Sequence, residues 1–143
     1  AYWKLGDIDT AIEMLREIHR THRNGRLYGT LGYLLIEKGD LDEALKYNME
    51  ALDYDDEDPV ILDNLGQTYY KMGKIQQAKE YFLKAEEIKQ EQADTLYYLG
   101  CIYQQEGNTD AAKEKLNMAL NCRITPLSTI SRETIEKKLS ELG

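Results

Sequence analysis

The sequence predicts an all-α protein, built from helix–turn–helix hairpins stacked in a row and closed by a C-terminal helix. Three observations carry that reading. Gly6, Gly39, Gly73 and Gly107 stand at spacings of 33, 34 and 34 residues. Ala11, Ala44, Ala78 and Ala112 each follow their glycine by five residues. Leu31-Gly32, Leu65-Gly66 and Leu99-Gly100 keep the same period, as do Ile18, Ala51, Ala85 and Ala119. A fixed period of this length marks a repeat array, in which each unit buries its apolar face against the next.

Each element follows from its residues. Ala1 to Leu5 reads as the end of a helix that starts upstream, so the sequence reads as a piece of a longer protein. Tyr2 and Trp3 are expected to meet that upstream helix. The first complete unit opens with Arg26–Lys38, where Leu27, Leu31, Leu34 and Leu35 recur at helical spacing. Gly39 stops this helix, because the left-handed conformation needed there suits only glycine. Asp40 caps the next helix, and Glu43 completes a capping-box pattern. Leu41, Ala44, Leu45, Ala51 and Leu52 form its apolar stripe. The same plan gives Val60–Met72 with Ile75–Lys89, and Thr95–Glu106 with Thr109–Cys122. Gly32, Gly66 and Gly100 are expected to face Ala44, Ala78 and Ala112, where small side chains let helix axes approach. The period breaks at Arg123-Ile124-Thr125-Pro126. A last helix is expected from about Ser131 to Leu142, capped by Ser128 or Ser131, with Ile135, Leu139 and Leu142 on one stripe. It reads as a cap over the last unit, with a linker to a further domain as the alternative.

Composition narrows the function. The chain has 143 residues, 26 acidic against 18 basic, for a net charge of −8. An acidic surface argues against binding nucleic acid or an anionic membrane. Uncharged runs such as Leu27 to Ile36 reach only about half of what a bilayer span needs, so no membrane insertion is expected. No basic start leads into an apolar stretch of the signal-peptide kind. Cys101 and Cys122 form no C-x-x-C unit and suit a reducing compartment, which points to the cytoplasm; a disulfide between them is the alternative.

Candidate chemistry is sparse. His19 and His22 share a helix face, but two ligands do not make a zinc site, and no metal is expected. Arg16, Arg20, Arg23 and Arg26 form a basic stripe; Asp53, Asp55, Asp56, Glu57 and Asp58 form an acidic turn. Exposed pairs between neighbouring turns are the expectation, with a head-to-tail contact or a docking patch as alternatives. The acidic turn lacks the ligand order and glycine of a calcium loop. Gly73-Lys74 is not a P-loop, and no G-x-S-x-G elbow occurs. Serines occur only at 128, 131 and 140. No catalytic residue and no cofactor are expected, and the chain reads as a non-enzyme.

The pattern resembles the tetratricopeptide repeat (TPR), a helix–turn–helix unit of 34 residues. Leu31, Gly32, Gly39, Ala44 and Ala51 carry the resemblance in one unit. Leu65, Gly66, Tyr69, Gly73, Ala78, Phe82 and Ala85 carry it in the next, and Leu99, Gly100, Tyr103, Gly107, Ala112 and Ala119 in the last. Departures are Pro59, a few residues late for the family proline, Tyr28, Leu62 and Leu96 at the aromatic position of the first helix, and Asn48 at an aromatic position of the second. The units implied are 1–24 (partial), 25–58, 59–92 and 93–126, with a capping helix at 127–143, in one continuous domain.

The resemblance implies a right-handed superhelical solenoid with the first helix of each unit lining a concave groove. The inward positions become Arg26, Thr30, Tyr33 and Glu37; then Val60, Asp63, Asn64, Gln67, Tyr70 and Lys71; then Asp94, Tyr97, Tyr98, Cys101, Gln104 and Gln105. The implied function is a protein-interaction scaffold holding a peptide segment or partner protein. The candidate groove residues are Tyr33, Asn64, Gln67, Tyr70, Lys71, Tyr97, Tyr98, Cys101 and Gln104. Amides suit a peptide backbone and tyrosines suit an interface. Tyr70, Tyr97 and Tyr98 are expected at the groove surface, with Tyr69 and Tyr103 in the core. The clamp that some family members use on acidic chaperone tails finds only Asn64 here, so that function is not expected. The alternatives are a homo-oligomerising assembly module and a regulatory arm of a larger enzyme or receptor.

Overall fold

The computed structural model describes residues 5–21, 25–122 and 131–142, without the side chains of residues 5–7, 19, 21, 25 and 26. Among the described residues, all regular structure is helical. The order is α1 (Leu5–Thr21), α2 (Gly25–Lys38), α3 (Leu41–Tyr54), α4 (Pro59–Lys71), α5 (Ile75–Ile88), α6 (Ala93–Gln105), α7 (Thr109–Leu120) and α8 (Arg132–Glu141). Consecutive helices pack on one another, and α4 also touches both α2 and α6. No described helix is long and apolar enough to cross a membrane.

The turns form as the glycine spacing predicts. Gly39, Gly73 and Gly107 have φ of 93°, 82° and 80°, where a Cβ would be strained. Gly73 N–H donates to the Tyr70 carbonyl and Lys74 N–H to that of Tyr69, at 3.0 and 2.9 Å. Gly107 and Asn108 repeat the pair on Gln104 and Tyr103. These bonds satisfy carbonyls that a helix end leaves open. Gly6 departs from the series: it lies within α1 rather than in a turn.

The caps are partly as expected. The Asp40 carboxylate accepts from Glu43 N–H at 3.2 Å. The Glu43 side chain does not reach back, because it pairs with Arg16 of α1. The box is therefore half formed. Asp58 accepts from Val60 N–H at 2.9 Å, and Pro59 takes the first position of α4, where a missing donor costs nothing. Asn108 caps α7 and Ser131 caps α8. Ser128 and the Arg123–Pro126 break lie outside the described residues, as do Tyr2, Trp3, His22, Arg23 and the side chains of His19 and Arg26. Arg16 pairs with Glu43 and Arg20 with Glu17, rather than with the acidic turn. Asp55 and Asp58 of that turn accept from backbone N–H groups of the turn itself.

The glycines of the paired helices make room for a different residue than the spacing suggests. A Cβ on Gly66 would lie 2.6 Å from the Phe82 ring, and one on Gly100 would lie 2.7 Å from Leu116 Cγ. On Gly32 it would lie 2.1 Å from Asn48 Oδ1. The facing residues are thus Asn48, Phe82 and Leu116, one turn beyond Ala44, Ala78 and Ala112. A larger side chain one turn on fills the space that the missing Cβ leaves, which alanine is too short to reach. Asn48 is the polar member of that series. It is fully buried, its Nδ2 donates to the Ala44 carbonyl at 2.8 Å, and its Oδ1 accepts nothing.

Helix α8 closes the stack. Ile135 is fully buried in a cluster with Phe82, Leu96, Leu99, Ile102 and Leu116, and Leu139 and Leu142 pack against it. Cys101 is buried, Cys122 is half-buried, and both are free thiols.

Candidate peptide-binding groove

Helices α2, α4 and α6, the first helix of each complete hairpin, lie side by side. A cavity of about 820 Å³ opens against them. Gly29, Thr30 and Tyr33 of α2 form one wall, and Val60, Asp63 and Asn64 of α4 form the floor. The far side is the turn Lys89–Gln92 with Ala93 and Asp94, and the end of α7 adds Met118, Asn121 and Cys122.

Hydrogen bonds between units hold this floor in place. Asn64 Nδ2 donates to the Gly29 carbonyl at 2.8 Å. Gly29 permits the approach of α4, since a Cβ there would lie 2.9 Å from Val60 Cγ1. Gln92 Nε2 donates to the Pro59 carbonyl at 3.1 Å and ties the α5–α6 turn to the start of α4. Thr95 donates to Asp63 Oδ1 at 2.6 Å, and Gln67 Nε2 to Asp63 Oδ2 at 2.7 Å.

The electrostatics centre on Asp63. Burial, reinforced by the nearby Asp94 carboxylate, pushes its carboxyl up to about 7, against the opposing pull of the Thr95 and Gln67 donors. Tyr98 is raised by burial and then by Asp63 and Asp94, so its hydroxyl stays neutral. Glu37 is raised by burial, and Lys71 partly offsets the rise.

The nine candidate residues do not form one surface. Tyr33 and Asn64 reach the cavity wall, though both are nearly buried. Gln67 lies beneath the floor, fully buried. Tyr98 is a core residue, not a surface one. It stacks on Phe82 at 5.4 Å and meets the edges of Tyr70 and Tyr97 at 5.0 and 5.5 Å. Gly66 seats the Phe82 ring inside the stack, and the flat face of that ring draws Tyr98 in after it. Cys101 is also buried, beside Tyr97 and Tyr70, and burial raises its thiol. Tyr70, Tyr97 and Gln104 are half-buried and Lys71 is exposed. They make a separate patch toward the ends of α4 and α6, near Glu141 and Lys138 of α8. Tyr69 and Tyr103 are half-buried rather than fully in the core. The far side of the cavity escapes sequence reasoning, because the α5–α6 turn and the end of α7 do not lie on the first helices of the units. Among the described residues, no group of three or more His, Cys, Asp or Glu is placed to hold a metal ion.

Helical hairpins repeating every 34 residues, with left-handed glycines at the turns, define an α-solenoid repeat protein. The chain belongs to the tetratricopeptide repeat family: two profiles of that family match it, over residues 25–91 and 94–121. No curated protein matches the chain. Among solved structures it is similar to part of the APC/C hetero-tetramer Cut9–Hcn1, at 23% identity and a TM-score of 0.79, over 96% of this chain and 27% of that one. It is similar to the MamA protein at 22% identity and a TM-score of 0.64, over 80% of this chain and 63% of that one. The first TPR of Spaghetti (RPAP3), bound to the HSP90 peptide SRMEEVD, matches at 18% identity and a TM-score of 0.67, over 82% of this chain and 89% of that one. The chain thus spans under two thirds of that MamA chain and about a quarter of the Cut9–Hcn1 chain. Identities this low speak to the fold alone.

Proposed function

We propose that the protein is an interaction scaffold without chemistry of its own, and that its four units (residues 1–24, 25–58, 59–92 and 93–126) present the face of α2, α4 and α6 to an extended peptide segment of a partner. TPR folds are scaffolds for protein interaction, and the cavity against this face is the observation that carries the finer reading. Its volume suits two or three side chains of a peptide, and its walls mix backbone-binding polar groups with the apolar Val60, Ala93 and Met118. The half-buried Tyr70, Tyr97 and Gln104 with Lys71 extend the face beyond the cavity. RPAP3 holds a peptide with three acidic residues in a related fold. Here the cavity wall carries Asp63, Asp94 and Glu91 against Lys89, so an acidic peptide is not the expected guest.

Val60 tests this reading. It is 43% exposed and lines the cavity, so an arginine there fills space that a guest would occupy. Partners captured from lysate by the wild-type chain are expected to be lost from Val60→Arg, while the variant still unfolds cooperatively. Equal capture by both proteins would move the binding surface elsewhere.

A further inference from the structure

The start of α6 departs from a rule that most of the described helix starts keep. Asp40, Asp58, Asn108 and Ser131 each stand at an N-cap and accept a backbone N–H of their own helix. Lys74, at the N-cap of α5, has no acceptor to offer. Gln92 stands at the N-cap of α6 and has an acceptor, yet its side chain makes no cap bond. One repeat earlier the same place holds Asp58, which does make it. Short polar side chains are favoured at this position because they reach the helix's own amides.

The Gln92 carboxamide is turned to the cavity instead. Its Nε2 donates to the Pro59 carbonyl at 3.1 Å and to Thr95 Oγ1 at 3.2 Å. The Thr95 hydroxyl accepts that bond and donates its own to Asp63 Oδ1 at 2.6 Å. Pro59 opens α4 beside Val60, and Val60 and Asp63 belong to the cavity floor. Gln92 ends the turn that makes the far wall. One half-buried side chain thus holds that wall to the floor at two points. A helix that forgoes its own cap for a bond to another unit breaks a local rule, and such breaks gather at functional sites. We propose that Gln92 is a positioning residue of the peptide site: it fixes the Lys89–Gln92 wall at the distance from α4 that grips a bound peptide, and α6 gives up its cap for this. The proposal rests on the reading of the α2–α4–α6 face as the peptide site.

Gln92→Asn separates the two uses of the side chain. It keeps the carboxamide on a shorter stem, which caps α6 well and falls short of the Pro59 carbonyl. The probe is the dodecapeptide most enriched from a displayed random library on the immobilised wild-type chain. Fluorescence anisotropy is expected to show that Gln92→Asn binds it about threefold to tenfold more weakly, because the peptide must now order the wall. The denaturant midpoint is expected to equal or exceed that of wild type, since the new cap offsets the lost bonds. Backbone amide relaxation of the free variant is expected to show added motion at residues 89–92. A lower midpoint would make the bonds ties that the fold needs and would overturn the proposal. Unchanged affinity would overturn it as well. So would weaker binding with unchanged relaxation, which would make Gln92 a direct contact of the peptide. In each case a probe that Val60→Arg weakens leaves the groove reading standing. A probe indifferent to Val60→Arg, or no enrichment over bare support, would overturn both.

Discussion

Asp63 couples stability to pH in the direction opposite to an ordinary carboxylate. Its folded value lies near 7 and its unfolded value in the ordinary carboxylate range, so between these limits the native state binds more protons than the unfolded one. Its contribution is therefore fully present at low pH and is lost as pH rises through about 7. Among the described residues, the groups that face it are Asp94, Tyr98, Thr95 and Gln67. Denaturant melts are expected to show wild type losing stability relative to Asp63→Asn between about pH 4 and 7, by up to roughly 1.4 kcal/mol per pH unit, with parallel profiles above that. Parallel pH profiles for the two proteins within that window would contradict this. Asn48 offers a second residue-scale test. It occupies the site that Phe82 and Leu116 fill in the other hairpins, with Oδ1 buried and unpaired, a state that costs about 1–3 kcal/mol. Asn48→Leu is expected to raise the free energy of unfolding by about 1 kcal/mol, read from the denaturant midpoint at constant slope; a loss would show that the Ala44 contact outweighs the orphaned oxygen. The sequence marks Asn48 as a departure from the repeat, because its polarity breaks an apolar series. It does not show the burial of Tyr98, since a tyrosine at an inward position reads the same whether it faces solvent or a ring.

At the scale of the elements, the pairing of α4 with α5 depends on Gly66. Alanine in a helix interior is favoured over glycine by about 0.5–1 kcal/mol. A Cβ 2.6 Å from the buried Phe82 ring opposes that gain, and overpacking costs about 1–3 kcal/mol. The clash wins: Gly66→Ala is expected to lower stability, and Gly66→Ala with Phe82→Leu to recover most of the loss. A stabilised Gly66→Ala would show that the ring moves aside freely. Helix existence, order and turns are legible in the sequence because each rests on local rules: helical spacing of Leu27, Leu31, Leu34 and Leu35, a left-handed glycine, and a cap at Asp40 or Ser131. Helix starts shift by a residue or two. Pro59 and Ala93 precede the predicted starts because Asp58 and Gln92 stand at the caps. Which residue a glycine admits is less legible, because side chains lean along the helix and the contact falls a turn away from the smallest partner.

Over the whole molecule, the repeat period carries the solenoid, since one hairpin's packing is copied in the next, and the apolar stripe of Ile135, Leu139 and Leu142 carries the closure by α8. The site is a different matter. Its first wall follows from repeat symmetry, but its far wall comes from the α5–α6 turn and the end of α7, whose approach depends on how tightly the hairpins coil. Single contacts such as Gln92 to the Pro59 carbonyl set that approach, and no period encodes them. Docking of partners on the face of α2, α4 and α6, as proposed above, is tested by amide chemical-shift mapping of the isotope-labelled chain during titration with a partner peptide. The largest shifts are expected at Thr30, Tyr33, Asp63, Asn64 and Asp94, with weaker ones at Tyr97 and Gln104. Shifts confined to α1 around the exposed Met14, or to the acidic turn between α3 and α4, would contradict it and favour assembly through those surfaces instead.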